Sequence, residues 1–358
     1  MDFISYAVDE DELTREQVMN LKNHPAFEDE IVRLMPDAHG GAAGPVGFTS
    51  TFSDKIVPNI VGVDIACRVT SAKINANFVD FTCLDKVVHA IVPSGFNIQK
   101  RIPSLSKQFN YESLYCWPHI ANHSRIVKSM GTLGSGNHYI AMNYNDKTGE
   151  YYLTIHCGSR NLGKQCAQFY QNLAVEKNDG IVSDLLAYIE GEDLEHYLND
   201  MRIINKWSML NHQTIIENIC QGMNWSLDGY VTNIHNYIDV DNGITRKGAI
   251  SAQIGEVCLI PLNMRDGILV CKGKGNTEWN CSAPHGAGRI MSRAQAKKTL
   301  SMEEYQDTMS DVYTTCIVES TLDEAPMAYK NTEKIKTAVK DTVEIVEQLQ
   351  EVYNFKAK

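Results

Sequence analysis

The sequence has 358 residues, a formal net charge of −11, 43% hydrophobic and 22% charged residues, a balance that permits one large core and argues against a broad, non-specific grip on nucleic acid. No uninterrupted apolar run reaches membrane-spanning length, and the acidic opening MDFISYAVDEDELTREQ lacks the basic-then-apolar order of a signal peptide. Ten scattered cysteines with no CxxC pair read as reduced thiols of a cytoplasmic protein rather than as a disulfide scaffold.

A short helix is expected near Thr14–Lys22, followed by a glycine-rich stretch in which residues 55–63 and 68–74 suit short strands. Residues 151–155 give a compact strand signal. Helical periodicity dominates from Leu162 to about Ile219, where Phe169, Leu173, Leu186, Ile189, Tyr197, Ile204 and Trp207 recur at helix spacing. Strand character returns from Tyr230 through Val270. Ser301 with Glu304 forms a capping box for a following helix, and Thr332 is expected to cap a last helix carrying Ile335, Val339, Val343, Val346 and Leu349 on one face. Strands, a helical middle and strands again predict an α+β architecture, read as a single domain over residues 1–358, with mixed and antiparallel sheets around a central cleft.

Local basic groups at Lys100, Arg101 and Lys107, at Arg246 and Lys247, and at Arg289, Arg293, Lys297 and Lys298 would suit a few phosphate contacts, although solvated surface charge is the commoner fate of such residues. Six short stretches carry the chemistry: MPDAHGG (residues 35–41), VGVDIAC (61–67), GTLGSGNH (131–138), IHCGSRNLG (155–163), NIHNY (233–237) and APHGAGR (283–289). All but NIHNY pair glycine, which allows close backbone approach, with a metal-capable side chain. Asp64 and Cys67, three residues apart, offer a hard oxygen and a soft thiolate on one side of a turn. His138, His156 and His235 supply the imidazoles that Mn, Fe, Co or Zn sites accept. The bland alternatives are a buried small hydrophobe for Cys67 and hydrogen-bonded core histidines. HGAGR suits the opening of a helix from Gly286 to about Lys298, where backbone N–H groups would bind phosphate, Arg289 could add bidentate contacts, and a neutral His285 could attack phosphorus. GSRNLG repeats the theme before another helix, with Arg160 available for a phosphate.

Taken in order, these stretches together with RKGA (246–249), IPLNM (260–264), PHGAGRIMSR (284–293) and PMAYKN (326–331) resemble the RtcB family of RNA ligases over nearly the whole chain. The resemblance implies two Mn²⁺ ions and GTP as cofactors. It implies a GMP–histidine intermediate, an activated RNA–ppG end, and the joining of a 3′-phosphate or 2′,3′-cyclic phosphate end to a 5′-hydroxyl. It makes Cys67 a bridging thiolate that shares one metal with Asp64 and His138 and the other with His156 and His235, and makes His285 the guanylated nucleophile. It places Asn137, Tyr139, Asn236, Pro261, Asn263, Gly286, Ala287, Gly288, Arg289, Tyr329 and Lys356 in the nucleotide pocket, Arg160 on RNA phosphate, and Asp37 and His39 beside the metal site.

The chain departs from the family pattern at Ala141, where a glutamate contacting the nucleotide is usual, at Leu262 and Asn263, at Ile268 and at Arg68. None is a metal ligand or His285, so the departures bear on guanine specificity rather than on the chemistry. The resulting expectation is a cytoplasmic, GTP-binding RNA repair and processing enzyme acting on broken RNA such as tRNA or rRNA fragments. It is expected to be monomeric, with an archease-like activator compatible but not implied. The competing expectations are a metal-dependent 2′,3′-cyclic phosphodiesterase and a non-catalytic RNA-end-binding protein.

Overall fold

The structure, a computed structural model, describes residues 1–357. Among these residues the strands form a seven-stranded sheet, a five-stranded sheet and two two-stranded ladders. The pairings are antiparallel except for Asp2–Ser5 against Ile31–His39, which is parallel. The expected α+β class with mixed and antiparallel sheets is therefore what the chain adopts.

The seven-stranded sheet runs in the order Val257–Asn263, Gly267–Gly273, Val343–Lys356, Tyr139–Asn145, Glu150–Cys157, Arg68–Ile74 and Leu227–Ile234. Its hairpin Tyr139–Asn145 to Glu150–Cys157 turns at Asn145–Gly149, where the amide of Gly149 donates to the Asn145 carbonyl. One face packs a core that includes Ile74, Leu84, Val88, Ile140, Met142, Leu153, Ile155, Ile219 and Tyr353. Alternation then sends Tyr139, Ala141 and Asn143 to the opposite face.

The helical middle resolves into Arg160–Lys177 and Gly191–Met223, separated by a break that holds the short strand Ile189–Glu190. These helices build a second core around Tyr170, Tyr197, Ile204 and Trp207. Asp200, fully buried, accepts from the amides of Tyr115 and Cys116 and from the Tyr170 hydroxyl, which anchors the loop at 111–119 to both helices. Trp207 is also fully buried and donates its indole N–H to the Tyr111 hydroxyl at 3.0 Å. Trp207→Ala is expected to destabilise the protein by about 3–5 kcal/mol, read as a lower denaturant midpoint with an unchanged slope.

Three expectations are corrected. Residues 55–63 do not continue as a strand: after Lys55–Ile56, Pro58 opens a short helix, Pro58–Val61, at the first-turn position where its missing N–H is harmless. HGAGR does not open a helix, which begins only at Arg293 with Ser292 as its cap. The final helix is short, Thr332–Ala338, capped by Asn331 rather than Thr332, and Val343–Lys356 is a strand. The helix after Ser301 forms as expected, with the Ser301 hydroxyl accepting from the Glu304 amide at 3.1 Å. Among the described residues no helix is long and apolar enough to cross a membrane.

Candidate active site

Strand register gathers the metal-capable residues. Cys67 immediately precedes Arg68–Ile74, and Arg68 and Val69 lie opposite Cys157 and His156. On the other edge Arg68 lies opposite Ile234, which brings His235 alongside; the His235 amide donates to the Cys67 carbonyl at 2.9 Å. Tyr139 lies opposite His156, so His138 arrives from the third direction. The loop carrying Asp64 is held by the Asn236 side-chain amide, which donates to the Asp64 carbonyl. Gly158 passes so close that a Cβ there would sit 2.0 Å from an Asp64 carboxylate oxygen. Any side chain at 158 would push Asp64 away.

The result is two adjoining triads that share one sulfur: Asp64, Cys67 and His138, and Cys67, His156 and His235, each with ligand atoms within 4.8 Å of one another. Cys67 Sγ lies 3.2 Å from His156 Nε2 and 3.6 Å from His138 Nε2, and His156 Nε2 lies 3.3 Å from His235 Nε2. His138 Nδ1 donates to the Leu133 carbonyl at 3.0 Å, which leaves its Nε2 facing an Asp64 oxygen at 2.9 Å. A carbonyl only accepts, so Nδ1 carries a proton, and the nearby Cys157 and Asp64 raise His138 well above the usual histidine range against the effect of burial. Nε2 then also carries a proton, donated to Asp64, which a bound metal ion would displace.

Burial first, and the neighbouring imidazoles second, hold His156 and His235 well below the usual histidine range, so both stay neutral as ligands must. Burial opposes charge on Asp64, but His138 outweighs it and holds the carboxyl well below the usual range. Burial and the Asp64 carboxylate push the Cys67 thiol up to about 12, a penalty that a bound cation would reverse. The donor set of N, S and O atoms fits a pair of divalent transition ions.

His285 stands beside this cluster, its ring centroid 4.8 Å from that of His235. Its Nδ1 donates to Asp37 Oδ2 at 2.6 Å, and Asp37 is fully buried. The residues after it are pinned to the strand Ile31–His39: the Gly288 carbonyl accepts from the Lys330 amide, and the Lys330 ammonium donates to the carbonyls of Pro36 and Ala38. A Cβ on Gly288 would lie 2.2 Å from the Asp37 carbonyl oxygen. His39 Nδ1 contacts the Asp37 carbonyl at 2.9 Å, and burial lowers its titration to about 4.

A cavity of about 630 Å³ opens over the cluster. Asp64, Cys67, His156, His235 and His285 line it, as do His39, Asn137, Tyr139, Asn236, Pro261, Asn263, Gly286, Ala287, Gly288, Arg289, Tyr329 and Lys356. His138 and Asp37 stand behind that lining, in contact with Asp64 and His285. Arg160 is elsewhere: its guanidinium lies against Gly134 and donates to Thr132 Oγ1 and the Gly95 carbonyl, outside the cavity wall.

Several residues that the sequence reading passed over shape the wall. Glu324, buried, pairs with Lys356, Arg289 and Arg293 and accepts from the Tyr329 hydroxyl, so one carboxylate organises four groups at the cavity edge. Lys356, Arg293 and Arg289 pull Glu324 down to about 2 against the effect of burial. Lys247 and Asp11 also line the cavity. The Lys247 ammonium donates to the Val61 carbonyl, and burial lowers it despite the nearby Asp64 and Cys67. Arg246, grouped with it as a phosphate candidate, is instead fully buried and bonded to Asp239, Tyr237 and Ser282. Of the family departures, Asn263 caps its own turn by accepting from the amides of Arg265 and Asp266, and Arg68 faces the long helix through Asn205.

Glu351 also lines the cavity, and burial raises its carboxyl from 4.5 to about 8. A folded-state value above the unfolded one gives stability that is fully present below about 4.5 and lost as pH rises to about 8. Glu351→Gln removes that loss. The nucleotide-free variant is expected to gain on the order of 3 kcal/mol at pH 7 and less than about 1 kcal/mol at pH 5, measured by denaturant unfolding at both pH values.

Fold and site together define an α+β protein with a candidate metal centre and a candidate histidine nucleophile beside a cavity of about 630 Å³. The family model described as "tRNA-splicing ligase RtcB" matches residues 17–116 and 118–357, and the chain belongs to this family. It is 28% identical to the RNA-splicing ligase RtcB of Escherichia coli over 94% of this chain and 92% of that protein, and equally so to RNA-splicing ligase RtcB1 of another strain of that species. The tRNA-splicing ligase RtcB of Nanoarchaeum equitans is 25% identical over 89% of this chain and 86% of that protein.

Proposed function

We propose that this protein is an RNA ligase that seals 3′-phosphate or 2′,3′-cyclic phosphate ends to 5′-hydroxyl ends, using GTP and two Mn²⁺ ions. Family membership supports the ligase class. The observation that carries the finer reading is the His285–Asp37 contact beside the shared-sulfur cluster.

Asp64, Cys67 and His138 would hold one ion, and Cys67, His156 and His235 the other. Bound there, the ions would offset the negative charge that builds on phosphate oxygens during transfer. The Asp37 carboxylate can only accept, so it fixes the proton on His285 Nδ1 and leaves Nε2 with a free lone pair. That nitrogen attacks the α-phosphorus of GTP, a P–N bond forms, and the P–O bond to the departing pyrophosphate breaks. A terminal RNA 3′-phosphate oxygen next displaces His285 from phosphorus and makes RNA–ppG. The 5′-hydroxyl then attacks the RNA phosphate, gives up its proton and expels GMP. Cyclic ends are first hydrolysed to the 3′-phosphate. Arg289, Tyr329 and Lys356, ordered by Glu324, would position the nucleotide.

The test pairs two measurements. Incubation with α-labelled nucleoside triphosphates should leave label on His285, located by peptide mapping. Cyclic-phosphate and 5′-hydroxyl RNA pieces should yield a longer product on a gel. Hydrolysis of the cyclic end with no longer product would replace ligation by phosphodiesterase activity.

A further inference from the structure

The face of the seven-stranded sheet that floors the cavity carries a carboxyl group with no assigned task. Glu351 is 8% exposed, and its two oxygens accept from the side-chain amides of Asn354 and Asn143 at 2.7 and 2.6 Å. Among the described residues it has no ion pair; the nearby Lys356 is engaged by Glu324 instead. The cluster is short of donors in a second way. Oδ1 of Asn143 and Oδ1 of Asn354 are both buried and without a hydrogen-bond partner. Both asparagines are 1% exposed. A carboxyl has lone pairs for about four hydrogen bonds, and only two are met here. Buried acceptors left unmet cost on the order of 1–3 kcal/mol each, and Glu351 and Asn354 both line the cavity.

Position agrees with chemistry. Tyr139, beside the metal-capable His156, lies opposite Lys356, and Asn143 lies opposite Glu351. Four residues of strand separate the two pairs, roughly 13 Å at 3.3 Å per residue. That is about the reach of a nucleoside monophosphate from its phosphorus to the far edge of its base. Between them Ala141 is fully buried, and its strand partner Asn354 faces the cavity in its place, so the lining runs from Tyr139 and Lys356 through Asn354 to Glu351.

We propose that Glu351, held by Asn143 and Asn354, reads the base of the bound nucleotide, and that the base is guanine. The guanine edge presents N1–H and the exocyclic N2–H₂ side by side, two donors that match a carboxylate. Adenine offers one amino donor beside a bare N1 lone pair, which an ionised carboxylate repels. Burial raises the Glu351 carboxyl to about 8 despite its two amide donors and the nearby Lys356, so the ligand-free carboxyl is largely protonated at neutral pH and the two donors of guanine would stabilise the ionised form in its place. The inference rests on His285 nucleotidylation, since that reaction reports which base is accepted.

The experiment compares His285 labelling by α-labelled GTP, ITP and ATP in the wild-type protein and in Glu351→Gln and Glu351→Ala. ITP lacks the N2 amino group but keeps N1–H. The wild type is expected to prefer GTP over ATP by 100-fold or more in kcat/KM, with ITP between them. Both substitutions should collapse the GTP:ATP ratio at least tenfold through KM for GTP, while labelling by ATP changes little. Because Glu351→Gln is expected to be no less stable than the wild type, lost selectivity in it is not lost folding. An unchanged GTP:ATP ratio in both variants, an equal fall for all three nucleotides, or a wild-type preference for ATP would overturn the assignment to Glu351. Absence of label from every nucleotide in the wild type would instead remove the nucleotidylation reading on which the inference stands.

Discussion

Replacing His285 with alanine is expected to abolish nucleotide labelling and RNA joining together, with a rate loss of at least about 10³-fold. His285 carries one strong contact, the 2.6 Å bond to Asp37, and lies at the cavity edge rather than in a core cluster. The variant should therefore fold and keep its metal content, which separates lost chemistry from lost structure. Asp37→Asn is the companion. An amide has the volume of the carboxylate but presents either a donor or an acceptor, so it no longer forces the proton onto Nδ1. A loss of about 10²- to 10⁴-fold in labelling rate is expected, with nucleotide binding little changed. Joined RNA from the His285→Ala protein at wild-type rate would show that the histidine takes no covalent part.

Cys67→Ala is expected to be as severe, for a different reason. The sulfur belongs to both triads, so its removal weakens both sites at once rather than one. Elemental analysis after dialysis should fall from about two ions per chain toward zero, and ligation should fall with it. Cys67→Ser is expected to fail as well, because a hydroxyl at that depth does not ionise near neutrality. The pH dependence has a definite sign. In the metal-free protein the thiol is pushed up to about 12 and stays protonated at neutral pH, so binding must expel that proton. Apparent affinity should rise about tenfold per pH unit through the neutral range for that one proton. The alanine variant should lose one proton's worth of this slope. Retention of two tightly held ions by Cys67→Ala would sink the shared-sulfur arrangement.

Much of the site was readable before the fold because its residues sit in short glycine-bearing stretches. Gly158 illustrates why: its missing side chain is the space that Asp64 occupies. What the stretches do not reveal is how they meet. The register of Arg68–Ile74 against Glu150–Cys157, and of that strand against Tyr139–Asn145, converts sequence distances of 71 to 89 residues into sulfur–nitrogen contacts. Glu324 and Glu351 carried no such signal. Each is an ordinary glutamate in sequence and becomes notable only when burial strips its water and leaves specific partners.

The misread segments share a cause. Ile335, Val339, Val343, Val346 and Leu349 satisfy helix spacing, but Val343–Lys356 also alternates and is rich in β-branched and aromatic residues. Tertiary pairing decided between them, since Gly267–Gly273 and Tyr139–Asn145 each offer an open edge to this segment. HGAGR shows the converse case. Its small residues were compatible with a helix start, yet the backbone is instead drawn against Asp37 and Lys330, and the helix waits until Ser292 can cap it.

The placement of Val343–Lys356 in the interior of the seven-stranded sheet has a consequence for biosynthesis. The neighbours it joins are translated some 70 and 200 residues earlier, so until it emerges from the ribosome the sheet has a seam and Lys356, Asn354 and Glu351 are missing from the cavity floor. Such long-range closure is slow compared with local helix formation. A nascent or prematurely terminated chain could thus assemble most of its metal ligands while lacking the surface on which a nucleotide would rest. Closure of the cavity floor therefore waits for the last dozen or so residues of this strand.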